Sequence, residues 1–213
     1  MQSSGIQYFF GSGFSDEAID LVVKHHYSHR APANVQFVGT LHEDGGLFGD
    51  RGTCIAAAFF SLPPTRWSEK VWELSRLVKR DDINFPLTSL ISKCVKYIKK
   101  SGKIDLLVSF ADSTQGHHGG IYQAASWLYG GKRERRIDGI LVNGHFYPGR
   151  TCNSLWGTRS PQKLKEIHKS KTIEPHYDEG KHLYYLPLDR RGKAKAKRLG
   201  LEVLPYPKPS TDS

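Results

Sequence analysis

Three groups of residues in this sequence could carry chemistry. The first begins with the apolar run Leu106-Leu107-Val108-Ser109-Phe110-Ala111, which ends on Asp112. It continues through Ser113-Thr114-Gln115-Gly116-His117-His118-Gly119-Gly120-Ile121-Tyr122. A strand that closes on a carboxylate and opens into a loop of small and polar residues puts that carboxylate where ligands gather in α/β sheets. Asp112 is equally readable as a turn former or helix cap. His117 and His118 could bind a metal or orient a substrate, but adjacent histidines without further spacing are more commonly solvated. The glycines beyond them would let backbone approach a ligand closely. Tyr122 reads by position as a core-edge residue of the next helix.

The second group is His25-His26-Tyr27, at the end of a helical pattern. Imidazole, carboxylate and phenolate are competent iron ligands. Without a metal, the same residues form a cationic helix end, which the macrodipole favours. The third group is Glu73-Leu74-Ser75-Arg76-Leu77. Strict alternation puts Glu73, Ser75 and Leu77 on one strand face and Arg76 on the other with Leu74 and Val78. An arginine among apolar neighbours must be paired or must meet an anion.

The elements that would hold these groups follow from periodicity. Ile6–Phe10 reads as a strand. Ser15 is a fitting N-cap for a helix whose buried face is Ala18, Leu21 and Val22. Asn34–His42 and Thr53–Leu62 read as strands joined by a Gly- and Asp-rich turn, and the unbroken apolar run Ile55–Phe60 predicts a central strand. Val71–Val78 is a further strand. Leu90, Ile91, Cys94, Val95 and Ile98 mark one helix face, with Lys93, Lys96, Lys99 and Lys100 mostly opposite. Ile104–Phe110 predicts a strand, Ile121–Leu128 an amphipathic helix and Ile137–Phe146 a strand. A helix over Gln162–His168 and a strand over His182–Leu188 follow. This alternation predicts a mixed α/β sheet covered by helices.

The length of 213 residues suits one domain, and the net charge of +10 favours a polyanionic partner. No apolar run is long enough to span a bilayer, and the N-terminus lacks signal-peptide character, so the expected location is cytoplasmic. The scattered Cys54, Cys94 and Cys152 predict neither a disulfide framework nor a zinc site. Cys54 and Cys94 read as core residues. Arg190, Arg191, Lys193, Lys195, Lys197 and Arg198 form a basic segment suited to phosphate contacts, ahead of a Pro-rich stretch from Pro205 to Pro209.

Several of these strings together resemble one family. Glu73-Leu74-Ser75-Arg76-Leu77, Leu107-Val108-Ser109-Phe110-Ala111-Asp112, Gly116-His117 and Gly120-Ile121-Tyr122-Gln123-Ala124-Ala125-Ser126-Trp127-Leu128-Tyr129-Gly130-Gly131 are similar to the Mom DNA-modification proteins of Mu-like phages. The early His26-Tyr27 and late Leu204-Pro205-Tyr206-Pro207-Lys208 fit the same pattern. The resemblance runs from about Ser15 to Lys208. It implies a GNAT-like α+β fold with a central, mostly antiparallel sheet flanked by helices. One domain would cover 1–213, with a basic C-terminal extension from about residue 160.

The resemblance further implies transfer of a carbamoylmethyl group to the exocyclic amine of adenine in double-stranded DNA, protecting phage DNA from host restriction inside the bacterium. It implies iron, with His26, Tyr27, Asp112 and Tyr122 as the metal and catalytic set and Arg76 and Ser109 as substrate or donor contacts. His26 is preferred to His25 because it aligns with Tyr27.

One departure concerns the donor. GNAT enzymes cradle the coenzyme A pyrophosphate in a glycine-rich loop whose backbone N–H groups lie at a helix N-terminus. Arg80–Ser89 stands in that place, without glycine and with Asp81 and Asp82. The donor is therefore open between acetyl-CoA, by fold analogy, and a glycyl carrier such as charged tRNA. Expected partners are DNA and that donor, with no membrane, and a homodimer is admitted. Two other readings are an acyltransferase acting on a small-molecule or protein amine, and a non-enzymatic DNA-binding accessory protein. Neither calls for iron.

Overall fold

The structure, a computed structural model, describes residues 8–44, 51–63, 67 and 69–208. The chain forms two compact units. Unit 1 comprises Met1–Phe110, Gly119–Gly131 and Leu183–Ser213, and unit 2 comprises Ala111–His118 and Lys132–His182.

Unit 1 opens with β1 (Tyr8–Ser12) and α1 (Asp16–His25). Ser15 caps α1 as the sequence predicts, accepting a hydrogen bond from Ala18 N at 3.1 Å. Asp16 and Glu17 occupy the first turn, where the helix dipole favours negative charge. The buried face is Ala18, Leu21 and Val22, and the helix ends where His26 turns extended. Next come β2 (Val35–Asp44), β3 (Arg51–Ser61) and β4 (Val71–Lys79). The predicted turn between β2 and β3 lies mostly outside the described residues.

β1 to β4 pair antiparallel in sequence order. Ile55–Phe60 of β3 are 0% exposed because the strand is covered on both faces. Val38, Ala57, Phe59 and Val78 pack with the buried face of α1. The next residue, Gly39, lies so close to Cys94 Sγ that an added Cβ would overlap it. Cys94 belongs to α2 (Leu87–Ser101), which buries Leu90, Ile91, Cys94 and Ile98. Successive strand residues point to opposite faces, so α1 and α2 cover opposite sides and the apolar run is unbroken.

β5 (Leu106–Asp112) lies beside β4. β6 (Leu128–Lys132) and β10 (Lys181–Pro187) complete a sheet of order β1-β2-β3-β4-β5-β10-β6. The helix predicted through Leu128 is shorter. As α3 it covers only Gly120–Ala124. Ser126 adopts a left-handed φ of 60° and ends it, Trp127 is fully buried, and Leu128 starts β6. The basic segment is itself a helix, α6 (Arg190–Arg198), capped by the Asp189 side chain, which accepts from Gly192 N at 2.9 Å.

Gly119, the N-cap of α3, has φ +85°, and a Cβ there would overlap the Tyr184 ring. Gly119→Ala is expected to cost about 1–2 kcal/mol for the left-handed backbone and about 1–3 kcal/mol for overpacking. Chemical denaturation reads that loss, and an unchanged midpoint would contradict it.

Unit 2 contains a three-stranded sheet of order β8-β7-β9, formed by β7 (Ile137–Val142), β8 (His145–Pro148) and β9 (Ile173–Tyr177). Ile137–Phe146 is therefore a hairpin rather than one strand. Asn143 (φ 50°) and Gly144 (φ 77°) form the tight turn that this dipeptide favours. The helices α4 (Gly149–Trp156) and α5 (Pro161–Ile167) lie between β8 and β9 in sequence. The core of this unit is Ile140, Val142, Cys152, Leu164 and Ile173. Among the described residues no helix is long and apolar enough to cross a membrane.

Candidate functional site

In unit 1 the site grows from a break in the sheet. β4 and β5 run parallel and pair only at Val71↔Leu106, Trp72↔Leu107 and Glu73↔Val108. Beyond that point the Leu74 carbonyl accepts the Ser109 hydroxyl at 2.8 Å instead of continuing the ladder. The β3–β4 register also shifts here, with Phe59 opposite Arg76 and Phe60 opposite Leu74. One extra residue on β4 breaks strict alternation. Glu73, opposite Ser61, and Arg76, opposite Phe59, therefore share a face, and Leu74 and Leu77 share the other. Ser75 Oγ lies 2.7 Å from Ser61 Oγ, on the side of Glu73 and Arg76. This corrects the predicted grouping of Arg76 with Leu74.

Arg76 donates from Nη1 to the Ser75 carbonyl at 2.6 Å. Its Nε is buried without a hydrogen-bond partner, and among the described residues it forms no ion pair. A half-buried guanidinium with an unused N–H suits an anionic oxygen.

Tyr122 is buried beside this break. Its phenol hydrogen-bonds Ser109. Ser109, whose hydroxyl also donates to Leu74 O, lowers the Tyr122 pKa. Burial pushes the Tyr122 pKa up to about 12, and nearby Tyr27 and Glu73 push in the same direction. The phenol is therefore neutral at physiological pH. Trp127 and Tyr184 pack on it with ring centroids 5.5 and 5.2 Å away.

His26 and Tyr27 sit where α1 stops, their rings 4.4 Å apart. His26 is buried and Tyr27 is 46% exposed. His26 Nδ1 lies 2.9 Å from Ser28 Oγ and 3.1 Å from Ser28 N. When Nδ1–H donates to Ser28 Oγ, Nε2 presents its lone pair; when Nδ1 accepts from Ser28 N–H, Nε2 carries the proton. His25 instead reaches Asp81 at 3.0 Å.

In unit 2, Asp112 caps a 3-10 turn (Ser113–Gln115) by accepting from Thr114 N at 3.1 Å. It also pairs with Lys181 Nζ at 2.8 Å. Burial alone would raise the Asp112 pKa, but the Lys181 ammonium and the Thr114 N–H outweigh it and hold the carboxyl below its ordinary value. The capping reading of Asp112 is thus realised, and the group is an ionised carboxylate. Lys181 is a partner with no signal in the local sequence. Stability linked to this depressed pKa is fully present above the unfolded value of about 3.9 and is lost as pH falls through the folded one. Asp112→Asn is expected to flatten the acid limb of stability against pH. An unchanged limb would contradict the pairing.

His117 is exposed, and its N–H donates to Asp112 O at 3.2 Å. His118 and Lys132 act with burial to lower the pKa of His182, burial being the largest cause.

The six basic residues of α6 and its start divide. Lys195 is 7% exposed, pairing with Asp105 at 3.1 Å and donating to the Glu69 carbonyl. Arg191 is shared between Asp189 at 3.0 Å and Asp105 at 3.4 Å. Arg190, Lys193, Lys197 and Arg198 are exposed. In the loop before α2, Arg80 holds Asp82 at 2.7 Å and Glu43 at 3.3 Å. Asp81 and Asp82 remain largely exposed there.

A mixed sheet with antiparallel β1–β4, a parallel β4–β5 pair that parts early and helices on both faces defines a GNAT acetyltransferase-like fold. A proposed acetyltransferase from Acinetobacter baylyi is 11% identical, with 88% of this chain and 96% of that chain covered and a TM-score of 0.50. A proposed acetyltransferase of the GNAT family from Desulfovibrio desulfuricans is 11% identical, covering 86% of this chain and 100% of that one at a TM-score of 0.48. A Bacillus subtilis acetyltransferase in complex with CoA is 12% identical, covering 85% and 98% at 0.45. No curated protein matches the chain. The model of the Mom protein family matches residues 9–208, so the chain belongs to the Mom protein family.

Proposed function

We propose that this protein is a transferase that modifies adenine in double-stranded DNA, placing a carbamoylmethyl group on the exocyclic amine and so shielding phage DNA from restriction. Family membership over residues 9–208 carries this reading. The neutral Tyr122 phenol at the parting of β4 and β5 gives it a physical centre.

The exocyclic amine is a poor nucleophile because its lone pair is delocalised into the ring, and in a stacked duplex only its major-groove edge is open. Flipping the base out exposes it at a cost of a few kcal/mol. The nitrogen must then form a bond to carbon as the donor's bond from that carbon to its leaving group breaks, and the proton that the nitrogen loses balances the one that the leaving group takes up. Tyr122, neutral and hydrogen-bonded to Ser109, serves as a donor that steadies developing negative charge or protonates the leaving group. Arg76 supplies cationic N–H groups for an anionic oxygen of donor or substrate. Asp112, held ionised by Lys181, contributes fixed negative charge rather than a well-matched general base.

Iron is the metal that the resemblance implies. In unit 1, His26, Tyr27 and Tyr122 fit it by donor chemistry, Tyr122 as phenolate in place of its role as proton donor, and Ser28 Oγ would fix the His26 tautomer that leaves Nε2 free. The resemblance also implies Asp112 in that set. Bound iron would supply Lewis-acid or redox chemistry. The acids exposed before α2 oppose a pyrophosphate at that helix start, which favours a glycyl carrier such as charged tRNA over coenzyme A as donor. The exposed Arg190, Lys193, Lys197 and Arg198 would serve DNA phosphates.

The reading is tested by the restriction sensitivity of plasmid recovered from cells expressing the protein. Resistance to enzymes that cut at adenine-containing sites is expected. Full sensitivity despite abundant folded protein would overturn the reading.

A further inference from the structure

We propose that Glu17, His42 and Cys54 form a zinc-binding site in unit 1, separate from the residues assigned above to iron. One ligand atom from each residue lies within 4.8 Å of the other two. The arrangement follows from the fold. His42 on β2 and Cys54 on β3 stand directly opposite each other, so their side chains share a sheet face. That face is the one α1 covers, and Cys54 packs in the cluster with Ala18, Leu21 and Val22. Glu17, one residue before Ala18, brings its carboxylate over the pair, and its Oε2 accepts the Cys54 N–H at 3.3 Å.

The donor set is complementary to the ion. Thiolate, imidazole and carboxylate together carry two negative charges, which Zn²⁺ neutralises, and the combination of soft and borderline ligands suits zinc. Tetrahedral bonds of about 2.0–2.3 Å put ligand atoms roughly 3.5 Å apart, so separations of at most 4.8 Å need to shorten by no more than about 1.3 Å. The histidine is oriented for this. His42 Nδ1 lies 3.0 Å from the Gly52 carbonyl, to which it donates, leaving Nε2 as the lone-pair nitrogen.

Thr40 Oγ1, 3.0 Å from Nε2, holds that position in the metal-free arrangement. Gly11 keeps the space beside it open, since a Cβ there would fall 2.6 Å from Thr40 Oγ1 and 3.4 Å from Nε2. His42 and Cys54 are 5% and 3% exposed, whereas Glu17 is exposed, so the ion enters past Glu17 and keeps a fourth position on that side. Burial, and then Glu17, raise the Cys54 thiol to about 11 without metal. Zinc reverses this by binding the thiolate and releasing its proton.

The full-length protein, stripped with chelator and titrated with Co²⁺ as a spectroscopic probe, is expected to develop a thiolate-to-cobalt charge-transfer band. Zinc should bleach that band at about one equivalent per chain. Cys54→Ser should abolish it. Glu17→Gln, at an exposed position that leaves the core intact, should weaken zinc binding at least tenfold and remove the rise in melting temperature that zinc gives the parent protein. Cys94→Ser and Tyr122→Phe should retain the band. Absence of the band in the parent protein, or Glu17→Gln binding zinc as tightly as the parent, would overturn the site. Neither result depends on DNA modification.

Discussion

Asp178→Ala is expected to lower the stability of unit 2 by about 3 kcal/mol, the lower end for breaking a buried ion pair. Asp178 is 2% exposed. Its Oδ1 accepts from Arg136 N at 3.0 Å, Gly180 N at 3.1 Å and Arg133 Nη1 at 3.1 Å, and its Oδ2 pairs with Arg133 Nη2. Burial alone would raise its pKa, but Arg133 and the two backbone N–H groups bring it below the ordinary value. Alanine would leave a partly buried guanidinium and two backbone donors without their acceptor.

The effect should spread along the chain. Gly180 O accepts from Ser113 N at 3.3 Å, Glu179 N donates to Thr114 Oγ1 at 3.0 Å, and Lys181 holds Asp112. Amide hydrogen exchange should therefore quicken both in β9 and in the Asp112–Gly116 turn. Exchange unchanged in that turn would show that Asp178 does not brace it.

Tyr122→Phe is expected to reduce DNA modification about 10²–10³-fold, the range for losing one aimed donor or general acid. The fold should lose only about 1 kcal/mol, because Ser109 keeps its bond to Leu74 O and only the phenol O–H is removed. The separation of the two readouts matters. A purely structural Tyr122 would show the small stability loss with activity unchanged, and that result would remove Tyr122 from the chemistry.

The fold was legible wherever local chemistry and burial agree. Ser15 is a cap with helical spacing behind it, and Ile55–Phe60 is apolar on both faces because α1 and α2 cover both. The errors have physical causes. Alternation along β4 fails because the extra residue near Ser75 changes the face of Arg76. Reading Ile137–Phe146 as one run hides the hairpin in unit 2, although Asn143-Gly144 carries its signal.

The candidate residues follow the same pattern. The resemblance implies Asp112, Tyr122, His26 and Tyr27 as a set, and the sequence does not show their surroundings. Lys181 and the Thr114 N–H hold the Asp112 carboxyl below its ordinary value against burial, and burial raises the Tyr122 phenol against the opposing Ser109. Lys195 looks like its exposed basic neighbours in sequence, and only the fold shows it spent on Asp105. The pairing of His42 with Cys54 arises from strand register, which the scattered cysteines do not reveal.

Adenine modification is tested most directly by recovering plasmid from bacteria expressing the protein, digesting it to nucleosides and weighing them by mass spectrometry. Tyr122→Phe and Asp112→Ala serve as parallel samples. An adenine nucleoside heavier by a carbamoylmethyl group is expected in the parent sample and should be strongly depleted in both variants. Unmodified adenine in the parent sample, with ample folded protein in the cells, would contradict it.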